Sequence, residues 1–261
     1  MNRHGDWVTA RKDRRISTVR AGKSSGPGER ADVREGARRV GVPLEEKKLT
    51  DALVRQARTV IRPGAGRSIF VIEEVPIGAG RPDIVLASVS PAAFAAFRRS
   101  GLRISSPTAA RVLDPQLLDH QVGVSEAYVR SLRKQLTDAG WGDASAIRFS
   151  QTVGESLAIE AKIKDWRRAV HQVSKFRGLF DRAAVLMPER DMPADSAAVF
   201  EFYECGLLFD AGQGVEWRRG SVARPPGTWA RLWLLELMVR GLETGTAYLA
   251  TSRRKADTAS S

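Results

Sequence analysis

Apolar residues first recur at helical spacing at Leu44, Leu49, Leu53, Ala57 and Val60, with Pro43 suited to a first-turn position and Pro63-Gly64 closing the segment. One amphipathic helix is predicted there. Two β-rich runs follow, 68–75 and 83–87, joined through Gly78-Ala79-Gly80-Arg81-Pro82, a glycine-containing connection suited to a hairpin. Residues 156–164 alternate as a strand, 166–177 carry a helical stripe ending at Gly178, and 183–187 form a strand stopped by Pro188. Strand, helix and strand in that order predict a crossover unit with parallel strands. Further strands are predicted at 199–203 and 207–210, a turn at Gly212-Gln213-Gly214, and a closing helix over 228–242.

Composition narrows the class. A chain of 261 residues suits one large domain or two modest ones, and 43% hydrophobic with 28% charged residues gives enough apolar surface for a core. Wholesale disorder is excluded on that ground. Residues 1–42 differ: Arg11, Lys12, Arg14, Arg15, Arg20, Lys23, Arg38 and Arg39 surround a Gly/Ser/Pro tract without apolar periodicity, which reads as a flexible basic N-terminal arm. Residues 251–261 read as a flexible tail. The formal net charge of +12 points to a polyanionic partner, most often nucleic acid.

Cys205 is the single cysteine and cannot form an intramolecular disulfide, and with three histidines it cannot build a closed zinc site. A reducing cytoplasm is the expected location. The most apolar helix, 229–242, is short and carries Arg231, Glu236 and Arg240, so no membrane partner is expected. The N-terminus does not read as a secretory signal.

The stretch with most chemical content is Leu157-Ala158-Ile159-Glu160-Ala161-Lys162-Ile163-Lys164. Alternation puts Ile159, Ala161 and Ile163 on one face and Glu160, Lys162 and Lys164 on the other. Glu-x-Lys alone is an ordinary surface charge pair. Its company changes the picture: upstream, Arg81-Pro82-Asp83 opens an apolar strand; downstream, Asp165 can cap a helix with core stripe Trp166, Ala169, Val170, Val173 and Phe176. That helix leaves Gln172 on a flank and Arg167 and Arg168 available to solvent or phosphate.

In this order of elements, with Pro82-Asp83, Glu160-Ala161-Lys162 and Gln172 four residues before Phe176, the chain resembles the PD-(D/E)xK nuclease superfamily. The resemblance covers roughly 44–188. It implies a restriction-endonuclease-like α/β fold, a mixed central sheet flanked by helices. It also implies a Mg²⁺-dependent DNA endonuclease, with Mn²⁺ able to substitute, that hydrolyses phosphodiesters by metal-activated water. Carried over, Asp83, Glu160 and the carbonyl of Ala161 hold the metal, Lys162 serves the nucleophile or transition state, and Gln172 assists. Family members also carry a first-helix glutamate; of Glu45 and Glu46, Glu46 is preferred. The chemistry agrees, since phosphodiester hydrolysis needs a hard cation on oxygen ligands and a fixed positive group beside it.

The nuclease-like core is expected over 43–87 and 154–250, interrupted by an insertion at 88–153. Within it Asp114-Pro115 is expected to start a short helix and Val122-Gly123-Val124 to turn. Ser125 should cap a second helix running to Ala139. Val129, Leu132 and Leu136 would face a core, leaving Ser125, Ala127, Arg130, Ser131 and Lys134 for a DNA groove. This resembles a winged helix-turn-helix, with Gly140-Trp141-Gly142 and a β run at 146–149 beginning the wing. The expected partner is double-stranded DNA, and a homodimer stays open. The alternatives are a non-catalytic DNA-binding regulator on a nuclease-like scaffold and an RNA-directed nuclease.

Overall fold

The computed structural model describes residues 44–74, 76–77, 80–190 and 192–250. The basic arm, the tail and part of the Gly-Ala-Gly connection fall outside the described residues. The first stripe forms helix α1 (Leu44–Arg55) and the single turn α2 (Ala57–Val60), separated at Gln56. Gln56 leaves helical geometry and its Oε1 accepts from the N–H of Val215, 2.7 Å away. Then come β1 (Ser68–Glu73), β2 (Ile84–Val89), α3 (Pro91–Arg99), α4 (Pro107–Val112), α5 (Glu126–Asp138), α6 (Asp143–Ser150) and β3 (Val153–Ala161). The chain continues with α7 (Trp166–Ser174), β4 (Arg182–Pro188), α8 (Ser196–Phe202), β5 (Gly206–Asp210), β6 (Val215–Arg219), α9 (Thr228–Thr244) and β7 (Ala247–Leu249).

The strands form one mixed sheet in the order β6-β5-β4-β3-β2-β1-β7. The hairpin β1–β2 and the pair β2–β3 are antiparallel, whereas β3–β4 and β4–β5 are parallel. The predicted crossover is therefore present, with α7 as its helix. Alternation splits the strands between two faces: Ile69, Val71, Ile84, Leu86, Leu157 and Ile159 pack under α1, while Phe70, Ile72 and Val85 pack toward α9. A third cluster joins Trp166, Val170 and Val173 of α7 to Val185, Met187 and Phe200.

Three expectations need correction. Residues 199–203 are not a strand: 199–202 lie in α8 and Tyr203 is its C-cap, because the parallel pair β4–β5 requires a crossover. Ser196 and Phe200, one helical turn apart, are the buried positions, and Phe200 stacks on Trp166 at 5.8 Å. Asp114-Pro115 does not start a helix. The helix precedes it, capped by Ser106, whose Oγ accepts from the N–H of Ala109, and opened by Pro107. Asp114 instead caps α9 from a distance in sequence, accepting from the N–H of Trp229 at 3.0 Å. Finally, 146–149 is no wing strand. It lies in α6, where Ala146, Phe149 and Ser150 are buried at helical spacing and Phe149 meets Phe97 and Trp141 edge to face.

Helices α3 to α6 share one apolar core with the sheet and α9, joining Phe70, Val85, Phe97, Leu132, Phe149, Trp233 and Leu235. Helix α5 buries Val129, Leu132 and Leu136, and Ser125 caps it. A buried carboxylate pins the segment between α3 and α4 to the closing helix: Glu236, 0% exposed, accepts from Arg103 Nε at 3.0 Å, Arg240 Nε at 2.9 Å and the N–H of Ile104 at 3.0 Å. Among the described residues, no helix is long and apolar enough to cross a membrane.

Because all three donors lose their acceptor together, Glu236→Ala is expected to destabilise the chain by about 2–4 kcal/mol in urea unfolding. Glu236→Gln, which keeps one acceptor, loses less. A Glu236→Ala variant within experimental error of wild type would show that α9 is held by apolar packing alone.

Candidate functional site

The register of the sheet builds the site. Pairing of Ile84 with Ile159 brings Asp83, just before β2, opposite Glu160 near the end of β3. The position is locked by a hydrogen bond from the N–H of Ala161 to Asp83 Oδ2 at 2.8 Å. Lys162 follows the last residue of β3, and its N–H donates to the carbonyl of Leu186 on β4. From the other side, the first turn of α1 supplies Glu46. Its side chain is 15% exposed, whereas its neighbour Glu45 lies open to solvent.

These groups converge on one ammonium. Lys162 Nζ lies 3.0 Å from Glu160 Oε1, 3.5 Å from Glu46 Oε2 and 3.9 Å from Asp83 Oδ2, and donates to the carbonyl of Ala161 at 2.9 Å. The structure thus brings together Asp83, Glu160, Lys162, Glu46 and the Ala161 carbonyl. Among the described residues, no three carboxylate, imidazole or thiolate side chains enclose a metal position by themselves. The oxygens meet around the lysine.

Burial sets the electrostatics. Glu160 is 2% exposed, and its Oε2 has no hydrogen-bond partner among the described residues. Burial first, and the Asp83 charge second, push its pKa up to about 7, against the pull of Lys162. Asp83 is also raised by burial, although the Ala161 N–H and Lys162 favour its charged form. For Lys162 burial works against the charge, but Glu160 and Asp83 outweigh it and hold the ammonium protonated.

A cleft of about 290 Å³ adjoins Asp83, lined by Lys47, Thr50, Asp51, Glu73, Glu74 and Ile84. Glu73 and Glu74 were not singled out from sequence. The signal was available, because a hairpin between β1 and β2 must return the end of β1 to the start of β2, where Asp83 stands. Glu74 takes a left-handed backbone, φ 51°, and its N–H donates to the carbonyl of Asp83.

The other candidate residues are on α5 and α7. Gln172 sits on α7, and its Oε1 is buried with no hydrogen-bond partner among the described residues. Ser125, Ala127, Arg130, Ser131 and Lys134 are exposed at or along α5, and Arg167 and Arg168 are exposed on α7. Several of these cations have internal partners: Arg130 faces Glu126 at 4.0 Å, Lys134 meets Asp138 at 2.8 Å, and Arg167 pairs with Asp195. The hydroxyl of Ser125 accepts from the N–H of Tyr128.

A raised folded pKa makes ionisation of Glu160 costly. The neutral side chain contributes stability that is complete below its ordinary value of 4.5 and lost as pH rises through about 7. With divalent cations chelated, Glu160→Gln is therefore expected to exceed wild type in stability above pH 7 by on the order of 2 kcal/mol. The gap should close toward pH 5 in thermal or urea unfolding. A gap independent of pH would assign the effect to something other than this ionisation.

Comparison of the chain with family models, with curated proteins and with solved structures found no match.

Proposed function

We propose that the chain is a Mg²⁺-dependent deoxyribonuclease of the PD-(D/E)xK kind, cutting DNA held by its helical insertion. The observation that carries this reading is the convergence of Asp83, Glu160 and Glu46 on Lys162 at the C-terminal end of β3. The donor set suits a hard divalent cation: carboxylate oxygens, the Ala161 carbonyl, and a buried Glu160 Oε2 without a partner among the described residues. Asp83, Glu160 and the Ala161 carbonyl would hold the cation, with Glu46 the further carboxylate on the α1 side. When bound, the cation supplies Lewis acidity and lowers the pKa of a water.

The chain's own residues do the rest. The ammonium of Lys162 brings fixed positive charge to a phosphate oxygen, where negative charge develops during displacement. Asp83 is oriented by the Ala161 N–H, so the backbone of one residue serves both the carboxylate, through its N–H, and the cation, through its carbonyl. Helix α5 presents Ala127, Arg130, Ser131 and Lys134 to the duplex, with Ser125 at its cap, and α7 presents Arg167 and Arg168. Their partners do not prevent phosphate binding, because exposed ion pairs contribute only about 0–1 kcal/mol and a phosphate can exchange for them.

The test is cleavage of supercoiled plasmid with Mg²⁺. Wild type is expected to relax or linearise it, and Asp83→Ala, Glu160→Ala and Lys162→Ala each to lose roughly 10²–10³-fold in rate. Cleavage unchanged in all three sinks the site assignment. Duplex binding by wild type without cleavage, across several divalent metals, favours a regulator on a nuclease-like scaffold.

A separate measurement addresses the insertion. Arg130→Ala and Lys134→Ala should each weaken duplex binding uniformly across sequences and lower the slope of log K against log salt by about 1, followed by fluorescence anisotropy. A salt slope identical to wild type would remove α5 from the DNA interface.

A further inference from the structure

The ammonium of Lys162 sits among the same groups that the nuclease reading gives to the metal: it lies 3.0 Å from Glu160 Oε1, 3.5 Å from Glu46 Oε2 and 3.9 Å from Asp83 Oδ2, and it donates to the Ala161 carbonyl, while Glu160 Oε2 has no partner among the described residues. Two cations cannot share that set, because a divalent ion on the carboxylates would sit against the ammonium and repel it. The side chain is only 18% exposed, so water screens this competition weakly. Its backbone is fixed, with the N–H of Lys162 bonded to the carbonyl of Leu186, while four methylenes leave the ammonium free to swing.

We propose that Lys162 is the resident counter-ion of this carboxylate cluster, and that a divalent cation binds by displacing its ammonium from Glu160 Oε1 and the Ala161 carbonyl. The inference rests on the metal-dependent reading of the site and adds the order of events. Without the exchange, Lys162 is consumed in neutralising carboxylates. After it, the ammonium stands beside the occupied site with its donors free for a phosphate oxygen. The same residue thus holds three acids together and is released toward phosphate by the cation that replaces it.

The experiment measures Mn²⁺ binding to the full chain, without DNA, by electron paramagnetic resonance of free Mn²⁺. Lys162→Met and Lys162→Gln are compared with wild type, and circular dichroism confirms that each is folded. Lys164→Met, which removes an exposed charge two residues away, is the control. Both Lys162 variants are expected to bind Mn²⁺ about tenfold more tightly than wild type, the equivalent of about 1.4 kcal/mol. Lys164→Met should match wild type, and adding Asp83→Asn to Lys162→Met should abolish the gain. Saturable binding by wild type with equal or weaker affinity in both Lys162 variants overturns the exchange and leaves the metal site standing. No saturable binding by any chain overturns both.

Discussion

Three carboxylates cannot crowd together where water is mostly excluded without a cation, and the geometry around Lys162 is the solution to that constraint. At the effective dielectric of a partly buried site, two like charges 4 Å apart repel by about 4 kcal/mol. Glu46, Asp83 and Glu160 come from a helix, a strand entrance and a strand interior, and all lie within 4 Å of one ammonium. The arrangement is set by backbone rather than by side-chain preference. The β2–β3 register fixes Asp83 against Glu160, and the backbone of Ala161 gives its N–H to one acid and its carbonyl to the lysine.

The fold contains controls for this reading in its other buried acids. Glu236 is fully enclosed, yet two guanidiniums and a peptide N–H satisfy it. Asp181 is likewise engaged, accepting from the N–H and hydroxyl of Ser156 and from Arg231. Both are saturated anchors, one tying the segment between α3 and α4 to α9 and the other tying β3 to α9. Glu160 differs. One oxygen has no partner among the described residues, its pKa rises to about 7, and its neighbours are themselves acids. A buried carboxylate left short of donors beside two others is poor architecture for stability alone, and such departures gather at functional sites.

Much of this was legible in the sequence because it depends on short-range pattern. Alternation at Ile159, Glu160 and Ala161 predicts a strand with one charged position, and the Asp165 cap with its helical stripe predicts α7. Together these place the crossover. The misreadings arose where local propensity competes with topology. Residues 199–203 are rich in aromatic and β-branched side chains, but the parallel neighbour strands leave room only for a helix. The run 146–149 reads as β until Phe97 and Trp141 supply an aromatic pocket for Phe149. The acidic cleft beside Asp83 escaped because Glu73 and Glu74 carry no motif of their own and meet Asp83 only through the closure of the hairpin.

The positive charge of the chain takes a different meaning once its partners are located. On α5 and α7 the exposed Arg130, Lys134 and Arg167 already face carboxylates, at Glu126, Asp138 and Asp195, in pairs that water weakens. At Lys162 the same kind of pairing is mostly shielded from water and involves three acids. Exchange against an incoming phosphate is therefore easy at the surface, and exchange at the buried cluster demands a competitor of higher charge. A monovalent ion offers no advantage over the ammonium, whereas a divalent one does. Under the proposed nuclease reading, that gradient separates holding a polyanion, which an exposed arginine can do, from acting on it at the shielded cluster around Lys162.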